Sequence, residues 1–267
     1  MGLNARISTY VKGAVATWSE EPDTGVVNTL LRVLGRWRQQ LILDAYLRQH
    51  GAIIWSGPFK GMEYVSTATE GALLPRLLGS YESELHRHLQ AFAAEDLECV
   101  IDVGCAEGYY AVGLARMMPK VTVYAHDIAE KALIACRELA AKNGVADRVI
   151  VGGEFKPTDF EAFAGRRTLV MVDAEGAELD VLQPELSPAL AGLSLIVETH
   201  DVYRPGALAT LVQRFMPTHH IVRVDQHYMP FEPPPWFRDM PHLDRLLAVW
   251  EWRLAPTPWL VMRPKAA

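Results

Sequence analysis

The sequence predicts an α/β fold, a largely parallel sheet covered by helices, behind an N-terminal helical and β-hairpin cap. Three observations carry this. From Cys99 onward the short apolar runs "CVIDV", "VTVYA", "RVIVG", "TLVMV" and "LSLIV" alternate with helical segments such as "YYAVGLARMM" and "AEKALIACRELAAKNG". Strands alternating with helices make βαβ units, hence a parallel sheet with both faces covered. The first run leads straight into a glycine turn, "VIDVGCAEGYYAVGLA", and the residues before about 95 lack this texture. The chain has 267 residues, 50% of them hydrophobic, enough for one sizeable core or a core plus a small extra domain.

In chain order, the cap comes first. From Val26 to His50 the residues Leu30, Leu31, Leu34, Leu41, Ile42, Ala45 and Tyr46 recur at helical spacing, and Gly51 suits the C-terminal stop. Arg32, Arg36 and Arg38 fall on what reads as a solvated face of that helix. "AIIWSGPFKGMEYV" reads as two short strands about a turn. A further helix is expected near "SYESELHRHLQAFAAE", with Ser80 as its N-cap. Residues 1–95 are therefore assigned to the cap and 96–267 to the sheet domain. Near the end, "HHIVRV" and "PWLVMR" are strand candidates, and between them lies an insert rich in Pro and aromatics at about 226–257. Its "EPPPW" run reads as a stiff loop.

Composition narrows the function. The formal net charge is −6 and Lys and Arg are scattered, which argues against nucleic-acid binding. Cys99, Cys105 and Cys136 form no C-x-x-C pair, and no signal peptide is visible. A reduced, cytoplasmic protein is expected. "MGLNAR" fails the myristoylation pattern at Arg6, and no apolar stretch is long enough to span a bilayer, so no membrane association is expected.

The glycine turn is the first chemical signal. Asp102 ends the strand, Gly104 lets the chain turn, and Gly108 opens the next helix, whose exposed N–H groups suit an anionic or polar group. The spacing is G-x-x-x-G, not the G-x-G-x-x-G of dinucleotide sites, so a cofactor without a pyrophosphate fits better and a NAD-dependent oxidoreductase is opposed. The next strand, "VTVYAHD", ends in Asp127, placed to accept hydrogen bonds from both hydroxyls of a ribose. The plainer role for Asp127 is capping a helix that starts near Ala129.

With "IDVGCAEGYYA", "VDAEGAELDVL" and the preceding "LLGSYESEL", the chain resembles class I S-adenosylmethionine (SAM)-dependent methyltransferases from about Cys99 to Arg263. More narrowly, it resembles the FkbM type. That type shows V-G-A-N-x-G where this chain has "VGCAEG", so Cys105, Ala106 and Glu107 are departures. The resemblance implies a Rossmann-like seven-stranded sheet with its last strand antiparallel, and an insert lying over the carboxyl ends of the strands as a lid. It also implies SAM as cofactor and methyl transfer, most often to a hydroxyl of a sugar or secondary metabolite. The cofactor contacts it assigns are Glu82, Asp102, Gly104, Cys105, Gly108, Tyr109, Asp127, Ile128, Glu154 and Asp173.

The stretch "TLVMVDAEGAELDVL" puts several acids at the mouth of an apolar strand. Counted as the fourth parallel strand, it delivers Asp173 to the active edge of the sheet, beside the methyl group to be transferred. Glu178 and Asp180 are expected on the following helix, explained by solvation or the helix dipole, with Glu175 intermediate. "LSLIV" is followed by "ETHD", bringing Glu198 and His200 to the same edge. His200 is the expected general base for a hydroxyl acceptor. Asp173, Glu198 and His200 are also the candidates for a divalent cation, which is not favoured because hard cations prefer oxygen ligands. His86 with His88, and His219 with His220, point to opposite faces and suit no single metal. The alternatives to O-methylation of a small molecule are N-methylation of a protein or small-molecule amine, and a non-catalytic nucleotide-binding protein of the same fold. Acceptor identity and oligomeric state stay open.

Overall fold

A computed structural model describes residues 2–16, 18, 23–65, 72–227 and 229–265. Two helices, α1 (Leu3–Ala16) and α2 (Thr24–His50), lead into a short α3 (Leu73–Leu78) and α4 (His86–Ala93). The sheet region runs β1 (Cys99–Val103), α5 (Tyr109–Met117), β2 (Thr122–His126), α6 (Glu130–Lys142), β3 (Val149–Gly152), β4 (Thr168–Val172), α7 (Glu178–Val181), β5 (Ser194–Glu198) and α8 (Ala207–Phe215). It closes with β6 (His219–Val224), α9 (His242–Ala248) and β7 (Trp259–Pro264). The strand order is β3-β2-β1-β4-β5-β7-β6. β7 is antiparallel to both β5 and β6, whereas the other pairings are parallel. This is the seven-stranded sheet with an antiparallel last strand that the motifs implied.

The register decides where the chemistry sits. Val103 pairs with His126 on one side and with Val172 on the other, and Val172 pairs with Val197. The residues that follow these paired positions, Gly104, Asp127, Asp173 and Glu198 (the last of β5), therefore emerge along one edge. β1 is the strand from which the order departs in both directions, and in open α/β sheets the crevice at that switch point is where ligands bind. β1 and β4 are buried along their whole length, as fits strands covered on both faces. One apolar cluster unites Leu43 and Tyr46 of α2 with Val100, Val123 and Trp259 of the sheet; a second packs Phe160, Leu190, Leu211 and Phe215 on the opposite face.

The cap departs from expectation in three places. The hairpin reduces to a single antiparallel bridge, Ile53–Glu63, because the chain closes as a loop in which Gly57 and Gly61 both take left-handed backbone. The helix expected from Ser80 starts later: Glu82 is left-handed at φ +46°, and a 3₁₀ turn at Ser83–Leu85 leads into α4. Ser80 is no N-cap; its hydroxyl donates to the Pro75 carbonyl. The face of α2 that carries Arg32, Arg36 and Arg38 is partly solvated and partly met by the late insert. Arg38 pairs with Asp244 of α9 at 2.6 Å, and Arg32 and Arg36 lie over the Trp252 ring. Gly35 makes this approach possible, since a Cβ there would stand 2.8 Å from the Trp252 ring. Among the described residues no helix is long and apolar enough to cross a membrane.

Candidate active site

The glycine turn is held by contacts that only glycine tolerates. A Cβ on Gly104, at φ +87°, would stand 1.7 Å from the Asp173 carbonyl oxygen, so the turn after β1 and the end of β4 touch. Ala106 is left-handed at φ +46°, at the position where the FkbM type has Asn, a residue that takes this conformation more readily. Its amide donates to Asp127 Oδ2 at 3.0 Å, while Asp127 Oδ1 accepts from the Ala129 amide at 2.8 Å. Asp127 is thus both an anchor of the turn and a cap ahead of α6, which starts at Glu130. Each oxygen keeps a second lone pair for a ligand. Ile128 beside it is 87% exposed, and Glu154 is also exposed. Cys105 and Tyr109 are buried, with the Tyr109 ring packed edge-on against Phe59, Tyr64, Tyr81 and Tyr110. Burial pushes the Asp102 carboxyl up to about 7, and its Oδ2 has no hydrogen-bond partner.

Glu107, the third departure, is fully buried and receives hydrogen bonds from Tyr64 Oη (2.5 Å) and Arg76 Nη1 (2.7 Å). Arg76 lies over the Tyr81 ring at 4.5 Å. The cap therefore reaches into the turn through a buried ion pair, an arrangement costly to break from either side.

The acid edge gathers around one imidazole. His200 Nδ1 donates to Glu178 Oε1 at 2.6 Å, and Nε2 lies 3.4, 3.5 and 3.7 Å from carboxylate oxygens of Glu198, Glu175 and Asp173. Burial works against charge on the ring, but Glu178, Glu198 and Asp173 outweigh it and raise His200 to about 11. With carboxylates facing both nitrogens, the ring is an imidazolium at neutral pH. Expected as the general base, His200 instead begins charged. Glu178, read as a solvated helix residue, is fully buried and orients His200. Asp173 Oδ1 has no hydrogen-bond partner. Burial and the charges of Glu198 and Glu82 push the Asp173 carboxyl well up, although its side chain is 29% exposed at the cavity wall. Glu198 moves the other way: burial opposes its charge, yet the His200 N–H and Arg253 hold it at about 2.

The insert supplies what the sequence reading missed. Arg253 donates to Glu82, Glu198 and Glu251, and Thr257 donates to Glu198 at 2.6 Å. Tyr110 donates to Glu82. Burial lifts Glu82 to about 7 even against Arg253. Because Arg253 and Thr257 occupy Glu198, the side chains placed to share a cation are Asp173, Glu175 and His200, whose ligand atoms lie within 4.8 Å of one another. The Asp173–Glu198–His200 set is corrected accordingly. A cavity of about 720 Å³ opens over this edge, walled by α2, residues 72–76 and 81, and the insert at 251–257. The only advance signal for Arg253 was its place in the dense "WEWRL" run; Glu178 had the D-x-E-x-x-E spacing with Asp173 and Glu175.

Residues 94–165 match a family described as "Methyltransferase domain". The match covers just over a quarter of the chain. The matching family is not the FkbM type. A 130-residue stretch is 34% identical to the ribosomal protein L11 methyltransferase of Acinetobacter baylyi, covering 43% of this chain and 42% of that protein. The chain thus spans less than half the length of the curated relative it matches. Among solved structures, the chain is similar to the human methyltransferase 10 domain containing protein (10% identity, 86% of this chain and 97% of that one, TM-score 0.47). It is also similar to an O-methyltransferase from Streptomyces achromogenes involved in tomaymycin synthesis and solved with SAM (13% identity, 68% and 81%, TM-score 0.45).

Proposed function

We propose that the protein is a cytoplasmic SAM-dependent methyltransferase that methylates a hydroxyl of a small molecule such as a sugar or secondary metabolite, with neither nucleic acid nor membrane as partner. One observation carries the reading: the glycine turn and the acid edge are in contact at Gly104 and Asp173, so a cofactor in the turn and an acceptor in the cavity meet. The residues fit SAM. The turn has room only for backbone, Asp127 keeps lone pairs beside an exposed Ile128, and the acid edge favours a cation over a neutral group. The buried, unpaired thiols of Cys99, Cys105 and Cys136 agree with a reducing compartment. The FkbM-type assignment stays part of this proposal and rests on the three quoted segments.

When bound, SAM supplies a methyl group on a positively charged sulfur. Asp173, its carboxyl pushed up by burial and by the charges of Glu198 and Glu82, lines the cavity beside the glycine turn and is the residue that would take the proton of the acceptor hydroxyl. His200, kept charged by Glu178 and Glu198, steadies negative charge growing on the acceptor oxygen. The cavity walls hold oxygen and methyl close and aligned, the largest part of the acceleration. A second reading, transfer to an amine, is favoured by the charged state of His200, since an amine nucleophile needs no strong base.

Calorimetry with SAM and NAD, followed by incubation with methyl-labelled SAM and a host extract, tests the reading. SAM binding and a labelled methyl ether are expected; NAD binding without SAM binding overturns it, and a labelled amine selects the second reading. His200→Ala should lower turnover roughly a hundredfold, the usual size of such a contribution, with SAM affinity near wild type. An ascending limb of the pH–rate profile should persist in this variant. Its loss would return the base to His200.

A further inference from the structure

In the cavity wall, on the insert between Glu251 and Arg253, Trp252 is fixed as a platform. Its Nε1 donates to Gln39 Oε1 at 2.6 Å, and Gln39 Nε2 donates to the carbonyls of Leu247 (2.6 Å) and Trp250 (2.9 Å). Its backbone is left-handed at φ +64°, a conformation that a bulky residue keeps only where its surroundings hold it, commonly at ligand sites.

Arg32 and Arg36 stand one helical turn apart on α2 with their guanidinium carbons 5.7 and 5.3 Å from the Trp252 ring centroid. Like charges at that spacing repel. Arg32 has a structural use, donating to the Trp252 carbonyl at 3.3 Å. Arg36 lines the cavity with an exposed side chain and pairs with no carboxylate among the described residues. A guanidinium resting on an indole presents its N–H groups in one plane, the geometry that grips a carboxylate or phosphate through two parallel hydrogen bonds.

We propose that Arg36, seated on Trp252, is an anion-recognition site, and that the acceptor carries a carboxylate or phosphate group remote from its methyl-accepting atom. Arg36 attracts the anionic end, the exposed Glu175 carboxylate repels it, and the nucleophile is turned toward Asp173 and Glu175. Leu43 and Leu74, also in the cavity wall, meet an apolar body. This deepens the proposed function and rests on it for the meaning of acceptor, but the anion site is measured without turnover.

The full chain is titrated by calorimetry or NMR with benzoate, phenyl phosphate and their neutral analogue benzyl alcohol. At least one anion should bind tenfold or more tightly than benzyl alcohol. Arg36→Gln should remove that preference, Arg36→Lys should keep part of it, and benzyl alcohol should bind all three proteins alike. The anion preferred identifies carboxylate or phosphate as the group read. No anion preference in the wild type, or a full preference surviving in Arg36→Gln, overturns the proposal; melting curves of the exposed-site variants confirm that they fold. SAM titrated in parallel separates the two readings. An anion preference without SAM binding removes the methyltransferase reading and leaves the site, and SAM binding without the preference does the reverse.

Discussion

The two halves of the site are built differently. The glycine-turn half, from β1 to the loop after β3, is assembled from neighbours: Asp102, Gly104, Gly108 and Asp127 lie within 26 residues, and Asp127 accepts from Ala106, 21 positions away. The acceptor half is assembled from strangers. Arg253 reaches Glu82 across 171 positions, and Trp252 reaches Gln39 across 213. A half made of local contacts announces itself as a motif. A half made of distant ones announces itself only as unusual composition.

The sharpest way to break this comparison is at Arg253. Removing it leaves Glu82, Glu198 and Glu251 buried together without their cation, so Arg253→Ala should destabilise by about 3–5 kcal/mol, read from chemical denaturation. A loss below about 1 kcal/mol would mean that the acceptor half does not depend on the insert. Next in size, Asp127→Ala should weaken SAM binding by about 1.5–3 kcal/mol. It should also lower unliganded stability by about 1 kcal/mol, because two backbone amides lose their acceptor. Unchanged SAM affinity with lowered stability would reduce Asp127 to a turn anchor.

The smallest effect sharpens the local half. Asp102 is held up at about 7, above its unfolded value. Its folded form is thus penalised as pH rises from about 4 through 7, and the penalty is complete above that. Asp102→Asn should therefore raise the melting temperature of the unliganded protein at pH 8 by about 2–4 °C, roughly 1 kcal/mol, and leave it unchanged near pH 3. Glu198 runs opposite. Held at about 2, it contributes stability above its ordinary carboxylate range, and that contribution is lost as pH falls toward 2.

Asp173 and His200 could be placed at the edge from their strands alone, because a strand ending in a polar residue delivers it to the carboxyl end of a parallel sheet. Their protonation could not. Whether an imidazole is a base depends on what faces its two nitrogens, and Glu178 and Glu198 come from different elements, α7 and β5. Glu178 looked like a solvated helix acid because periodicity reports a face and not what covers it; α7 is four residues long, too short to show a buried side. For the same reason the α2 arginines gave no sign that Trp252 and Asp244 of the insert meet a face that is otherwise solvated.

The order of apolar runs, the glycine positions and the acids at strand ends determined the sheet, its active edge and the turn, since these depend on backbone geometry that repeats over a few residues. Only the tertiary structure decided the charge on His200, the partner of Glu198 and the wall of the cavity, because burial and electrostatic coupling act between side chains brought together by the whole chain.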